Sequence, residues 1–374
     1  MQSQPIDTQL VVATLCLALG CPACDGRSGP LCDHGDICGV DASPDGTLIA
    51  VAGRQGRSRD GRLSVYDAQS GRELAAHVWL GDRLLCVAFD KGGRRLATCD
   101  SAARLVIWQI TVSADAARGR LRPLSQLTVE APGSRVAFSG DGLAVAVACR
   151  DHAVRVVDTI AMRLVKTLYG HKAGVTAVAF SPDGRCLASA GGTDGNAKIW
   201  DVGDWHLLLT VTYDSVDVTD VGFSVNGNRL IASYGKSFSR AGEPAGAMDY
   251  AEDHVRIWDA ATGDLKGGFR IGGDRVTSLG LPPRNGLLVA GYTHERATTT
   301  DHAVAIVDTS SGNRQSTLRG TWRAPMARWC GTSHVVIVDG RFVSYWDVSS
   351  PADPRRVWGR EWSWNDTLVR EDGP

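Results

Sequence analysis

One ending recurs seven times along the 374-residue chain and limits what it can fold into. The pairs Tyr66-Asp67, Trp108-Gln109, Val157-Asp158, Trp200-Asp201, Trp258-Asp259, Val307-Asp308 and Trp346-Asp347 each close a β-rich run. Their second residues are 42, 49, 43, 58, 49 and 39 positions apart. A spacing of about 40 residues marks a chain built from copies of one supersecondary unit, which buries its apolar faces only against its neighbours. The start of each unit repeats as well. Val175-Thr176-Ala177-Val178-Ala179-Phe180-Ser181-Pro182-Asp183-Gly184 is echoed by Ile37-Cys38-Gly39-Val40-Asp41-Ala42-Ser43-Pro44-Asp45-Gly46, and more weakly near Phe89, Phe138 and Phe223.

Each unit reads as an alternating strand, a glycine-bearing turn, a second β-rich run, a polar turn and a third strand. A further strand, such as Arg163-Leu164-Val165-Lys166-Thr167-Leu168, leads to the next unit. Composition agrees with many tight turns, since 43 glycines stand beside only 14 prolines without a collagen period. The expected fold class is all-β, a seven-bladed β-propeller of four-stranded antiparallel blades, because radial repetition limits exposed sheet edges.

At these residues the chain resembles the WD-repeat β-propellers. The fourth unit has Gly170-His171 before its first strand and Trp200-Asp201 after its third. The resemblance implies that His171, Ser189, Asp194 and Trp200 form a structural tetrad tying one blade together. An aspartate also stands seven positions before the closing one at Asp60, Asp151 and Asp301, the recurring turn aspartates. Val157 and Val307 replace the tryptophan, so most blades are expected to lack a full tetrad. The family implies a protein-binding scaffold, here read as a bacterial-type one.

Three regions follow: 1–36 as a closing strand plus a cysteine-rich insertion, 37–348 as the seven repeats, and 349–374 as a tail. Residues 9–15 align with an inter-blade strand and are favoured as the outer strand of the last blade, with Arg355-Arg356-Val357-Trp358 as the rival. The apolar stretch Leu10 to Gly20 follows a segment without Lys or Arg, unlike a secretory leader. The expected location is cytoplasmic, with export or a lipid anchor as the alternative. No apolar run is long enough to span a membrane.

A net charge of −1 excludes a generally basic nucleic-acid binder. No phosphate loop, nucleophile elbow or zinc-protease helix is present, so the chain reads as a non-enzyme, with an enzymatic propeller as the remote alternative. One cluster has chemical spacing: Cys21, Cys24, Cys32, His34 and Cys38. Thiolates with an imidazole suit tetrahedral zinc, but the pattern lacks a second Cys-x-x-Cys, so zinc, disulfides and free thiols all stay open. No cofactor is otherwise expected. Cys86, Cys99, Cys149, Cys186 and Cys330 sit singly in apolar runs, as core cysteines do.

Insertions lengthen the second-to-third connection in unit one (Arg54 to Arg62), unit five (Gly235 to Asp253) and unit six (Tyr292 to Asp301). With the cysteine-rich connection they map to one face, and loops on one rim of a rigid scaffold commonly bind. The partner-binding candidates are Arg54, Arg57, Arg59, Arg62, Lys236, Arg240, His294 and Arg296. The partners expected are proteins rather than nucleic acid.

Overall fold

In the computed structural model the residues described are 37–55, 58–113, 118–212, 217–235, 254–271, 275–281, 286–295, 300–309, 311, 313–319, 325–339 and 342–361. They form 28 strands and no helix. The strands make seven four-stranded antiparallel blades, spanning 37–79, 84–128, 133–168, 177–212, 217–269, 275–319 and 326–361. Blades 5 and 6 join in one sheet through a single pairing, Gly235 with Arg275. The first strand of each blade lies against the first strand of the next, and that of blade 7 returns to blade 1, so a ring surrounds a central axis.

The repeated Ser-x-Asp-Gly turn explains why the first two strands pair in register. In blade 4 the Ser181 hydroxyl donates to Asp183 at 2.6 Å and accepts from the N–H of Cys186 at 2.9 Å. Gly184 then turns the chain at φ +73°, a left-handed conformation costly to a residue with a Cβ. The register that follows, Phe180 opposite Leu187 and Ala177 opposite Ala190, leaves both strands buried on each face between neighbouring blades. Outer strands differ: Arg163–Leu168 and Leu207–Thr212 are largely exposed, as the rim of a ring must be.

Two ends of the ring follow from this order. One, the turn face, carries the first-to-second and third-to-outer turns. The opposite loop face carries the second-to-third connections and the links between blades. Apolar clusters fill the spaces between neighbouring blades rather than a single centre. One joins Val157 and Val145 of blade 3 to Cys86 and Ile107 of blade 2. Another joins Trp200 and Leu187 of blade 4 to Val156 and Ala148 of blade 3.

Closure corrects the sequence expectation. The outer strand of blade 7 is Arg355–Glu361, paired with Phe342–Asp347 from Phe342–Glu361 to Asp347–Arg355, not residues 9–15. The last blade therefore extends past Val348, while residues 1–36 lie outside the described residues. A short connection after Asp347 closes this hairpin with little loop entropy, whereas an N-terminal strand would have to be brought in from the far end of the chain. Each blade is thus one continuous stretch, and blade 7 meets blade 1 by packing. Tyr345, Val343 and Cys330 share a core with Ile37, Val40 and Tyr66. The Trp358 indole N–H donates to the Ala68 carbonyl at 2.8 Å. At Gly46, also left-handed at φ +72°, an added Cβ would stand 2.6 Å from the Gly331 backbone nitrogen, so the seam admits no side chain there.

Candidate functional site

The structure brings His171, Ser189, Asp194 and Trp200 into one chain of hydrogen bonds. Trp200 Nε1 donates to Ser189 Oγ at 2.8 Å, and Ser189 Oγ lies 2.8 Å from His171 Nε2. His171 Nδ1 lies 2.9 Å from Asp194 Oδ2. Indole can only donate, so with a neutral imidazole the serine hydroxyl gives its proton to Nε2 and Nδ1–H faces the carboxylate. Asp194 also accepts from the N–H groups of Lys172 and Asn196. Burial works against its charge, but the bonds from His171, Lys172 and Asn196 outweigh it and hold the carboxyl below its ordinary range. The group is consumed within its blade and offers no open atom for chemistry.

Other blades keep fragments of this arrangement. In blade 2, Trp108 donates to Thr98 Oγ1 at 2.8 Å, and Asp100 accepts from Trp79 Nε1, Arg104 Nε and the N–H of Ala102. Sequence spacing missed Asp100, because seven positions before the closing Gln109 stands Ala102, and Asp100 lies nine before it. Blade 7 differs, since Trp346 donates at 3.0 Å to Ser344 of its own strand rather than to a hydroxyl on the second strand. Of the recurring turn aspartates, Asp60 accepts from the N–H of Gly81 in the link to blade 2. Asp151 pairs with Arg155 Nη2 at 2.6 Å, and that guanidinium holds its carboxyl low. Asp301 pairs by its backbone with His294 across blade 6.

Sequence reasoning found no charged groups converging on the axis, and the structure places four there. Asp41, Arg135, Asp220 and Arg328 sit on the first strands of blades 1, 3, 5 and 7, none more than 1% exposed as a residue. Arg135 Nη2 meets Asp220 Oδ1 at 2.7 Å although blade 4 lies between their blades, so this pair crosses the channel. Arg328 Nε lies 3.7 Å from Asp41 Oδ1. Each carboxylate also reaches the next blade: Asp41 accepts from the N–H of Phe89 at 2.8 Å and Asp220 from that of Leu279 at 3.1 Å. Burial pushes the Asp41 carboxyl up to about 6 against the pull of Arg328, and raises Asp220 against Arg135. Arg135 and Asp220 are hydrogen-bonded, Arg328 and Asp41 stand at ion-pair distance, and with the backbone bonds of both carboxylates the four groups form an internal brace. They are too enclosed to meet a substrate.

The partner-binding candidates separate. Arg54 is half-buried at the end of a strand, and Arg59 is exposed on the loop face. Arg62 is a correction: it is 2% exposed and its guanidinium pairs with Glu73 at 2.8 Å, so it braces blade 1 and is not offered to a partner. His294 lies in the second strand of blade 6. Arg57, Lys236, Arg240 and Arg296 lie outside the described residues, as do Cys21, Cys24, Cys32 and His34. Cys38 is half-buried in the first strand of blade 1. The insertion expected in unit six is in part a longer hairpin, with strands Leu287–Glu295 and Thr300–Asp308. Among the described residues no helix is long and apolar enough to cross a membrane.

The family model for the WD domain, G-beta repeat, matches residues 28–67 and 162–201. The U3 small nucleolar RNA-associated protein 21 homolog of Schizosaccharomyces pombe is 29% identical over 180 residues, 47% of this chain and 19% of that protein. The guanine nucleotide-binding protein subunit beta of Arabidopsis thaliana is 23% identical over 261 residues, 67% of this chain and 65% of that protein. The COMPASS component SWD3 of Saccharomyces cerevisiae is 27% identical over 186 residues, covering 49% and 50%. This chain therefore spans about a fifth of the first relative and no more than about two thirds of the others. Seven four-stranded blades, the hydrogen-bonded His171–Ser189–Asp194–Trp200 chain and the two matched repeats together make this protein a seven-bladed β-propeller that carries WD repeats.

Proposed function

We propose that the protein is a non-catalytic scaffold that binds protein partners through the loop face of its ring. The observation that carries this reading is the uneven length of the connections there. Residues 236–254 separate the second and third strands of blade 5, against 101–103 in blade 2 and 150–153 in blade 3. Blade 6 adds its lengthened hairpin on the same face, next to blade 5. A rigid ring that grows segments at adjacent positions of one rim is arranged as binding scaffolds are. The relatives named above, a subunit, a component and an RNA-associated protein, carry names of members of assemblies, which supports the same class. The enclosed axial charges and the internally satisfied tetrad support a non-enzymatic reading.

The test is affinity purification of the native protein, with nuclease treatment, beside a variant in which residues 238–251 are replaced by a short glycine-serine link. Nuclease-resistant protein partners that are lost or weakened with the trimmed variant are expected. Full recovery of every partner by the trimmed variant, or capture that depends on intact RNA, contradicts the reading. We place the protein in the cytoplasm, and recovery in an exported or membrane fraction favours the anchored alternative.

A further inference from the structure

In six blades the third strand stops at an aspartate that closes the following turn. Asp67 accepts from the N–H of Ser70, Asp158 from Ile160, Asp201 from Gly203, Asp259 from Ala261, Asp308 from Ser311 and Asp347 from Ser349. Short Asx side chains favour such turns by bonding their own backbone just ahead. Blade 2 has Gln109 at this place, and its third strand runs on to Val112, with the outer strand starting at Gly119. The hairpin overshoots the turn face of the ring.

The overshoot is held. Ile110 and Leu121, at 4% and 8% exposure, join the apolar cluster that contains Leu74 and Ala75 of blade 1's outer strand. The N–H of Ile110 donates to the Arg94 carbonyl at 2.9 Å, which ties the hairpin to the first-to-second turn of the same blade. Five cations are exposed on this unit: Lys91 and Arg94 on the turn, and Arg118, Arg120 and Arg122 on the hairpin. The nearby carboxylate Asp90 is engaged by Arg95 at 2.9 Å. A basic ledge thus stands on a protein whose net charge is −1.

We propose that this ledge is a second docking surface, on the face opposite the long loops, and that it takes a short acidic polypeptide segment. The five cations lie on one turn and one hairpin of a single blade, a footprint the size of a short segment, whereas the other exposed turn-face arginines, such as Arg72, Arg185 and Arg229, stand singly on other blades. Exposed Val112 and Leu124 beside the arginines give apolar side chains a place to pack. The described part of the hairpin carries no exposed aromatic on which a nucleic-acid base could stack. Pro123 removes an N–H from the outer edge, so the segment is held by side chains rather than added as a fifth strand.

The probe is a fluorescent peptide of about twelve residues, rich in Glu and Asp with two leucines, titrated by anisotropy onto the full chain. Saturable binding that weakens with salt is expected, since exposed charge pairs are screened. The variant Lys91→Ser/Arg94→Ser/Arg118→Ser/Arg122→Ser should bind about tenfold more weakly with a flatter salt dependence. If that variant loses its cooperative melting, Arg118→Ser/Arg122→Ser is judged by a reduction of about threefold. The variant trimmed at 238–251 should bind the peptide normally, which separates this surface from the loop-face reading. Absence of saturable binding, unchanged affinity in the substituted chains, or tighter binding of an oligouridylate of equal length overturns the proposal.

Discussion

Replacing Trp358 tests how the ring is closed. Its indole donates to the Ala68 carbonyl across the seam and stacks on Tyr345 at a centroid distance of 5.5 Å, and Tyr345 stacks in turn on His334 at 4.8 Å. The ring also fills the space beside Gly71, where an added Cβ would stand 2.6 Å from it. Trp358→Ala removes a hydrogen bond of about 1 kcal/mol, an aromatic pair of about 1 kcal/mol and the transfer energy of a half-buried ring, about 1–2 kcal/mol. The expected loss is about 3–4 kcal/mol, against about 1 kcal/mol for Trp358→Phe, which keeps the stacking. At about 2–4 °C per kcal/mol, the alanine variant should melt roughly 6–16 °C lower. Calorimetry gives the size, and hydrogen exchange gives the place. Strand Ile37–Ala42 should lose protection before Ala177–Phe180 on a distant blade. Deleting residues 1–15 should leave both measurements unchanged, because the described seam contacts come from residues 37–361. An unaltered transition in Trp358→Ala, or a fall of similar size after the N-terminal deletion, refutes this closure.

Three further outcomes are expected. Asp194→Ala leaves the His171 ring and the N–H groups of Lys172 and Asn196 without their acceptor, and should cost about 1–3 kcal/mol in urea unfolding while partner binding is kept; lost binding at full stability would contradict a structural role. The Asp41 carboxyl, raised by burial from 3.8 to about 6, binds its proton more tightly in the native than in the unfolded chain. Its contribution to stability therefore falls as pH rises from about 4 to 6, by up to about 3 kcal/mol. The stability difference between wild type and Asp41→Asn should shift toward the variant over that window, and a pH-independent difference refutes the assignment. Arg135→Met alone strands the buried Asp220 carboxylate and should cost about 3–5 kcal/mol, whereas Arg135→Met/Asp220→Leu should recover most of that; equal losses in the two would show that the pair is not coupled.

What the sequence disclosed depended on how local each signal was. The blade period and the fourth-blade tetrad were readable because His171, Ser189, Asp194 and Trp200 all occur within one repeat. The axial brace was not, since Arg135 and Asp220 lie 85 positions apart as lone charges inside apolar strands. Only the ring brings them together. Closure was ambiguous because residues 9–15 and 355–358 both fit a strand pattern, and the short link after Asp347 decided for the second. Arg62 looked like part of an exposed basic loop, yet it lies inside the third strand, buried on both faces, where it pairs with Glu73 of the outer strand. Gln109 held the signal for the basic ledge, a missing turn aspartate, which reads as a mere mismatch until the strand is seen to continue.

The scaffold reading is tested most directly by hydrogen exchange of the protein alone and bound to the partner recovered with it. Slowed exchange concentrated in residues 54–62, 236–254 and 292–301, with the inner strands unchanged, is the predicted pattern. Slowed exchange confined to the outer strands or the turn face, with those three segments unaffected, would contradict it.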